Sequence, residues 1–320
     1  MTASRRQFIQ TGLGLAAAAS IPLVAGCAAP AAPTPVASSV APGAFRTRVG
    51  AATVTAVSDG AASSPLADGF VRNATLAQVQ QALREAGLPD DRITIPFTAF
   101  VVEREGRRVL MDAGNGQFGA PTAGRLLANL QVAGIDPRSI DTVLISHFHG
   151  DHINGLRDRD GALAFPNARL LVPAPEWDFW TDDARRAAAP GAPGGDAVRR
   201  VFGPIAASVV RFQPGDELVA GIRSIAAHGH TPGHTAFSIA SRGQTFAYLG
   251  DVANIAALFV RNPDWAVRFD MDAEEARQTR RRLLDTAVAG DWIVGGYHLP
   301  APGLGRVVRR GNGYDFVPLA

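Results

Sequence analysis

Short apolar stretches rich in β-branched and aromatic residues, each bounded by turn formers, open the chain's patterned region. Thr53–Val57 and Phe97–Glu103 have the character of strands, Glu105-Gly106 that of a hairpin turn, and Arg107–Met111 that of the returning strand. The spacing then changes: Pro121–Ala133 is helical, Asp141–Ser146 is a short apolar strand, and Ala174–Ala189 is helical around Trp177 and Trp180. Beyond a Pro/Gly-rich loop at Pro190–Gly195, strands are expected at Ser208–Phe212, Gly221–Ala226, Thr235–Ala240 and Thr245–Leu249. A helix at Asp272–Ala289, a strand at Trp292–Gly296 and a hairpin turning at Gly311-Asn312-Gly313 complete the pattern. Two βα-rich halves suit helices outside two packed sheets, although periodicity alone does not separate this from other α/β arrangements.

Ahead of this region the pattern is of another kind. Ser4-Arg5-Arg6-Gln7-Phe8-Ile9 precedes an apolar, Ala-rich stretch from Gly12 to Gly26, and an Ala/Pro/Ser-rich run then reaches about Ala44. Such an order predicts an export signal over 1–27, a tether over 28–44 and one folded domain over 45–320. About 15 apolar residues are short for a membrane span. The paired arginines resemble a twin-arginine leader, which implies the twin-arginine export machinery as a partner and a periplasmic or exported location. Cys27 is the only cysteine, so neither an intrachain disulfide nor a zinc thiolate is available. Its setting, Val24-Ala25-Gly26-Cys27, resembles a lipobox. A lipid anchor at Cys27 and a soluble product cut near Ala29-Pro30-Ala31 both stay open.

All 31 basic residues are arginines, which excludes a Schiff-base lysine. Without Arg5 and Arg6, 29 basic residues face 29 acidic ones. A formally neutral mature chain has no general attraction for polyanions, and no nucleic acid is expected as a partner.

Three of the seven histidines fall within six residues, in His147-Phe148-His149-Gly150-Asp151-His152, directly after an apolar strand. Imidazoles and a carboxylate at this spacing are typical ligands of zinc and other divalent first-row metals. Further along stand His230-Thr231-Pro232-Gly233-His234, Gly250-Asp251 after the strand Thr245–Leu249, and Tyr297-His298 after the strand Trp292–Gly296.

These four motifs, in this order, resemble the metallo-β-lactamase superfamily. The resemblance implies a four-layer αββα sandwich and two divalent metal ions, zinc foremost, with iron, manganese or cobalt as alternatives. It implies that His147, His149 and His234 hold one metal, that Asp151, His152 and His298 hold the other, and that Asp251 bridges them. A water shared by two such metals is the implied nucleophile, with Asp151 relaying a proton to the leaving group. His228 and His230 are left over: His228 has the setting of a structural residue, and His230 that of a turn contact or a hydrogen bond to a ligand. Asp112, at the end of Arg107–Met111, resembles the family's aspartate beside the metal site, or caps a turn.

Within the superfamily the chain resembles the methyl parathion hydrolase and quorum-quenching lactonase branch. The likeness runs through Met111-Asp112-Ala113-Gly114, Gly124–Leu130, Gly250–Asp272 with Asn262-Pro263-Asp264, and Pro302-Gly303-Leu304-Gly305. It implies hydrolysis of small lactones, carboxylic esters or phosphotriesters in an apolar pocket, with Phe118, Trp177, Phe179, Trp180 and Phe259 as candidate walls, although each taken singly reads more readily as buried core. Many lactonases of this branch carry a tyrosine three residues after the bridging aspartate, where this chain has Asn254. An iron-dependent oxidoreductase of sulfur compounds on the same fold is the alternative activity, and monomer or homodimer is left open.

Overall fold

The chain alternates its strands into two sheets that face each other, as seen in a computed structural model that describes residues 38–187 and 195–320. The expected leader with Cys27, the tether up to residue 37 and the loop residues 190–194 lie outside the described residues. The first sheet runs in sequence order: β1 (Ser38–Ala41), β2 (Ala44–Val49), β3 (Ala52–Pro65), β4 (Arg92–Arg104), β5 (Arg107–Met111), β6 (Thr142–Leu144), β7 (Arg169–Pro173) and β8 (Val210–Phe212). Strand β1 lies within the segment expected as tether, and β2 begins at its last residue. The second sheet holds β9 (Glu217–Val219), β10 (Ile222–Ala226), β11 (Thr235–Ser241), β12 (Gln244–Tyr248), β13 (Ile293–Gly295), β14 (Leu304–Arg310) and β15 (Gly313–Pro318), also laid side by side in chain order.

Short turns join antiparallel neighbours such as β4–β5, β11–β12 and β14–β15, while the helix Leu76–Glu85 lies in the longer link from β3 to its antiparallel neighbour β4, and each parallel pair needs a crossover. In order the helices are α1 (Leu76–Glu85), α2 (Leu126–Val132), α3 (Gly150–Ile153), α4 (Ala174–Trp180), α5 (Asp183–Ala187), α6 (Gly195–Phe202) and α7 (Ala273–Ala289). Helix α2 lies in the crossover from β5 to its parallel neighbour β6, and α7 in that from β12 to β13. Side chains alternate across each strand. In β11 and β12, Phe237, Ile239, Phe246 and Tyr248 join the core between the sheets, while the small Ala236 and Ala247 face Leu283, Leu284 and Ala287 of α7. Helices thus lie outside two sheets, the expected αββα sandwich.

Some elements differ from the sequence pattern for local reasons. Pro121–Ala133 is helical only from Leu126, because Asp59 takes the Arg125 N–H on its main-chain carbonyl and the Leu126 N–H on its side chain. Ala174–Ala189 breaks after Trp180, where the Thr181 hydroxyl bonds the Trp177 carbonyl and Asp182 accepts the N–H groups of Ala184 and Arg185. Helix α1 was not evident from the sequence; it starts at a reciprocal capping pair, Thr75 with Gln78.

The β2–β3 turn is tied to the opposite sheet. The Gly50 N–H donates to Gln244 Oε1 (2.7 Å) and the Ala51 N–H to Ser241 Oγ (2.9 Å). Gly50 has φ +59°, and a Cβ there would lie 2.2 Å from the Ser241 carbonyl oxygen. Gly106, in the β4–β5 turn, has φ +75° with open space around it. Gly106→Ala should therefore cost only the left-handed strain, about 1 kcal/mol, and Gly50→Ala about 1–3 kcal/mol more from the steric conflict. Urea unfolding of the two variants measures the difference, and equal losses would contradict a tight contact between the sheets.

Candidate metal centre

The ligand-bearing residues follow the C-terminal ends of β6, β12 and β13 and the loop from β10 to β11, so one rim of the sandwich collects them all. His147, His149, His230 and Asp251 bring ligand atoms within 4.8 Å of one another, and Asp151, His152 and His298 form a second such group. Asp251 lies between the groups. Its Oδ1 is 3.2 Å from His152 Nε2, and its Oδ2 is 3.0 Å from His298 Nε2, 3.2 Å from His230 Nε2 and 3.9 Å from His147 Nε2. Asp151 Oδ2 lies 3.5 Å from the Nε2 atoms of both His152 and His298.

His230 stands where the family resemblance led us to expect His234. His234 directly precedes β11, and its main-chain carbonyl accepts the Ala227 N–H as the β10–β11 ladder ends. Its ring is spent on the backbone: Nδ1 donates to the Ala227 carbonyl (2.9 Å) and Nε2 accepts the Asp251 N–H (3.0 Å). His230 lies at the loop tip, with Nε2 3.0 Å from His149 Nδ1. The candidate ligand cluster therefore contains His230 and not the expected His234, which instead holds the main chain of Asp251. Nothing in a His-Thr-Pro-Gly-His run tells which histidine turns inward.

The rings of His147, His152, His230 and His298 are each aimed by a hydrogen bond from one nitrogen, which fixes the tautomer and leaves the other nitrogen for a cation. His152 Nδ1 donates to Asp112 (2.7 Å), and His147 Nδ1 donates to Ser146 Oγ (3.0 Å), which passes its own proton to Asp112 (2.6 Å). Asp112 also accepts the Ser146 N–H and the Tyr248 hydroxyl, so it is the aspartate beside the site that the resemblance implied rather than a turn cap. His298 Nδ1 donates to the Pro96 carbonyl (2.8 Å). His230 Nδ1 donates to Asp270 (2.9 Å), whose other oxygen faces the buried Arg280. Asp270, Arg280 and Glu176 carried no mark in the sequence.

Burial and mutual repulsion among the imidazoles hold His147 and His149 well below the ordinary histidine range. His234 sits at about 3, because of burial and the charge of His230. Burial also opposes a charge on His152 and His230, but nearby carboxylates outweigh it. Asp251, Asp151 and Asp112 push His152 well up, and hydrogen bonds to Asp251 and Asp270 bring His230 to about 9. Asp251 loses solvation by burial, yet His298 and His152 keep its carboxyl well below the usual range. The site thus draws positive charge inward. His147 Nε2, His149 Nε2, His152 Nε2 and Asp251 Oδ1 are buried without a hydrogen-bond partner. Buried polar atoms are rarely left so, and converging lone pairs of this kind suit divalent cations.

Over the two groups opens a pocket of about 280 Å³ whose further walls are Ile95, Phe97, Asn254 and Phe269. The expected aromatic walls lie elsewhere: Trp177, Trp180 and Phe259 are core residues, and neither Phe118 nor Phe179 reaches the pocket. A second cavity of about 730 Å³ meets the first at His298 and extends beneath α1. His228, expected to be structural, is only partly buried and lines neither.

Comparison with known proteins agrees with this geometry. The chain is similar to AidC, a dizinc quorum-quenching lactonase solved with the product N-hexanoyl-L-homoserine, at 26% identity and a TM-score of 0.81, over 87% of this chain and 98% of that one. It is equally similar in fold to the hydrolase AbOPH of the beta lactamase superfamily, at 25% identity, a TM-score of 0.81 and the same coverage. A 60-residue stretch is 38% identical to ribonuclease Z of Clostridium kluyveri; the match covers 19% of this chain and 17% of that relative's length. Residues 97–289 match the model of the metallo-beta-lactamase superfamily, and the chain, with its two facing sheets and its rim of histidines and aspartates, belongs to that superfamily.

Proposed function

We propose that the protein is a dinuclear metal-dependent hydrolase of small lactones, carboxylic esters or phosphotriesters, made with an export leader and working outside the cytoplasm. The observation that carries this reading is the pair of ligand groups sharing Asp251 at the floor of a small apolar pocket. The dizinc lactonase among the similar structures supports two metals and a lactone-like substrate. In this reading His147, His149 and His230 hold one ion, Asp151, His152 and His298 the other, and Asp251 both. Two divalent cations held by these residues would supply Lewis acidity, lowering the pKa of a water and polarising the substrate oxygen.

The remaining work falls to the chain itself. Ile95, Phe97 and Phe269 give the substrate an apolar seat that strengthens the electrostatic interactions within it. Asn254 accepts the Ile255 N–H on its Oδ1 (3.1 Å), which leaves its Nδ2 as a donor to a carbonyl or phosphoryl oxygen in place of the tyrosine phenol. Asp151 is the ligand with the most exposed side chain, 25% against 3–4% for His298 and Asp251, and is placed to pass a proton to the departing alkoxide.

The reading is tested by screening metal-reconstituted protein, made without residues 1–27, against lactones, aryl and alkyl esters and phosphotriesters. Hydrolysis of at least one class, lost on chelation and restored by zinc, is expected; metal-replete protein inert to all three would end it. In the same assays Asp151→Asn, loaded with metal, should slow alkyl esters more than nitrophenyl esters, whereas an equal loss leaves Asp151 a ligand only.

The two histidines of the second motif separate by metal content. His230→Ala should bind one ion per chain or bind the first at least 10-fold more weakly, while His234→Ala, losing two backbone contacts and no contact to the cluster of candidate ligand atoms, should keep two. Elemental analysis after dialysis decides, and the reverse result would restore His234 as the ligand. For export, Arg5 and Arg6 both changed to Lys should leave the precursor inside the cell, and undiminished delivery to the periplasm would remove the twin-arginine route.

A further inference from the structure

Glu176 belongs to none of the ligand groups, yet it is fully buried and no Lys, Arg or His pairs with it among the described residues. A carboxylate in such a place is costly unless its oxygens are saturated with donors. Four donors meet it. Oε1 accepts the Phe148 N–H (2.9 Å) and the Trp180 indole N–H (2.6 Å), and Oε2 accepts the Thr231 hydroxyl (2.9 Å) and the Gly233 N–H (2.8 Å). Phe148 stands between His147 and His149; Thr231 follows His230 and Gly233 precedes His234. One oxygen therefore grips the first ligand loop and the other the second. The loop lies directly on α4, since a Cβ on Gly233 would come within 2.1 Å of the Glu176 nitrogen.

Resting on the metal-centre reading above, we infer that Glu176 is a positioning residue that sets the spacing between the loop of His147 and His149 and the loop of His230. No neutral side chain of the same shape can do this. A glutamine has one acceptor oxygen and one amide donor group. The N–H groups of Phe148 and Trp180 cannot reverse, so they claim the oxygen, and the amide then faces the Gly233 N–H, donor against donor. The Thr231 hydroxyl can turn to accept, but Gly233 loses its partner and the His230 loop is released. Asp151 and His152 follow the Phe148 segment that the glutamine oxygen still holds, and His298 lies on another loop, so the ion assigned to these three keeps its ligands.

Glu176→Gln tests this against Asp59→Asn. Asp59 is likewise buried and accepts from Asn115 and Leu126, but touches neither ligand loop. Zinc affinities come from competition with a chromophoric chelator, and the cobalt-substituted proteins give the visible absorption of each site. Glu176→Gln should bind one of two ions 10–100-fold more weakly and alter one set of cobalt bands, with the other ion unchanged. Asp59→Asn should lower the melting temperature while leaving both affinities and the spectrum as in the parent. Should Glu176→Gln fail to fold, Thr231→Val removes one donor alone and should weaken the same ion several-fold. Parental affinities and bands in the folded Glu176 or Thr231 variant, or an equal weakening in Asp59→Asn, would overturn the assignment. A parent protein that binds no metal would instead refute the metal-centre reading itself.

Discussion

Asp251 is buried, and its charge must be balanced inside the protein. Its two oxygens face imidazoles of both groups, His152 on Oδ1 and His298 on Oδ2 from one, His147 and His230 on Oδ2 from the other, so the two groups are tied together through it. Those imidazoles then require orientation, which Asp112, Asp270 and the Pro96 carbonyl supply from behind. Each of these carboxylates adds buried charge of its own and is answered in turn: Asp112 by four donors, Asp270 by His230 and Arg280. The network extends outward until it meets Arg280, whose guanidinium bonds the carbonyls of Val252, Pro263 and Trp265 and so braces the chain that follows Asp251. The sandwich matters to the site chiefly because strand ends on one rim are the place where so many groups can be held rigidly.

Three of the four ligand motifs were legible because each follows directly on a short apolar strand, and a strand end is a local property of the sequence, while the second sits at a Pro-Gly turn between two strands. The αββα architecture was legible only through those motifs, since strand and helix alternation fits several α/β folds. What escaped was decided at long range. His230 was chosen over His234 by the pairing of Ala227 with His234 and by Asp270, 40 positions away from His230. Glu176 is one acidic residue in a helix among many, and only the folded chain brings Phe148 and Gly233 to it. The pocket walls escaped for a related reason. Of the two readings open for Trp177 and Trp180, pocket wall or core, the structure has the core, with the Trp180 indole committed to Glu176. Strand β2 was hidden by composition, because the Ala/Pro/Ser-rich run passes into it without a break.

The contact between His298 and Pro96 has a consequence for how this scaffold can change over generations. A ligand anchored to a main-chain carbonyl depends on the path of β4 and not on the side chains that β4 displays. Ile95 and Phe97, on either side of Pro96, face the pocket and make no side-chain hydrogen bond to the ligand network. Exchanges at those two positions can therefore reshape what fits above the ions while His298 stays in register. The shape of the pocket and the register of His298 are thereby assigned to different atoms of the same three residues, so the pocket wall can be altered without moving that histidine.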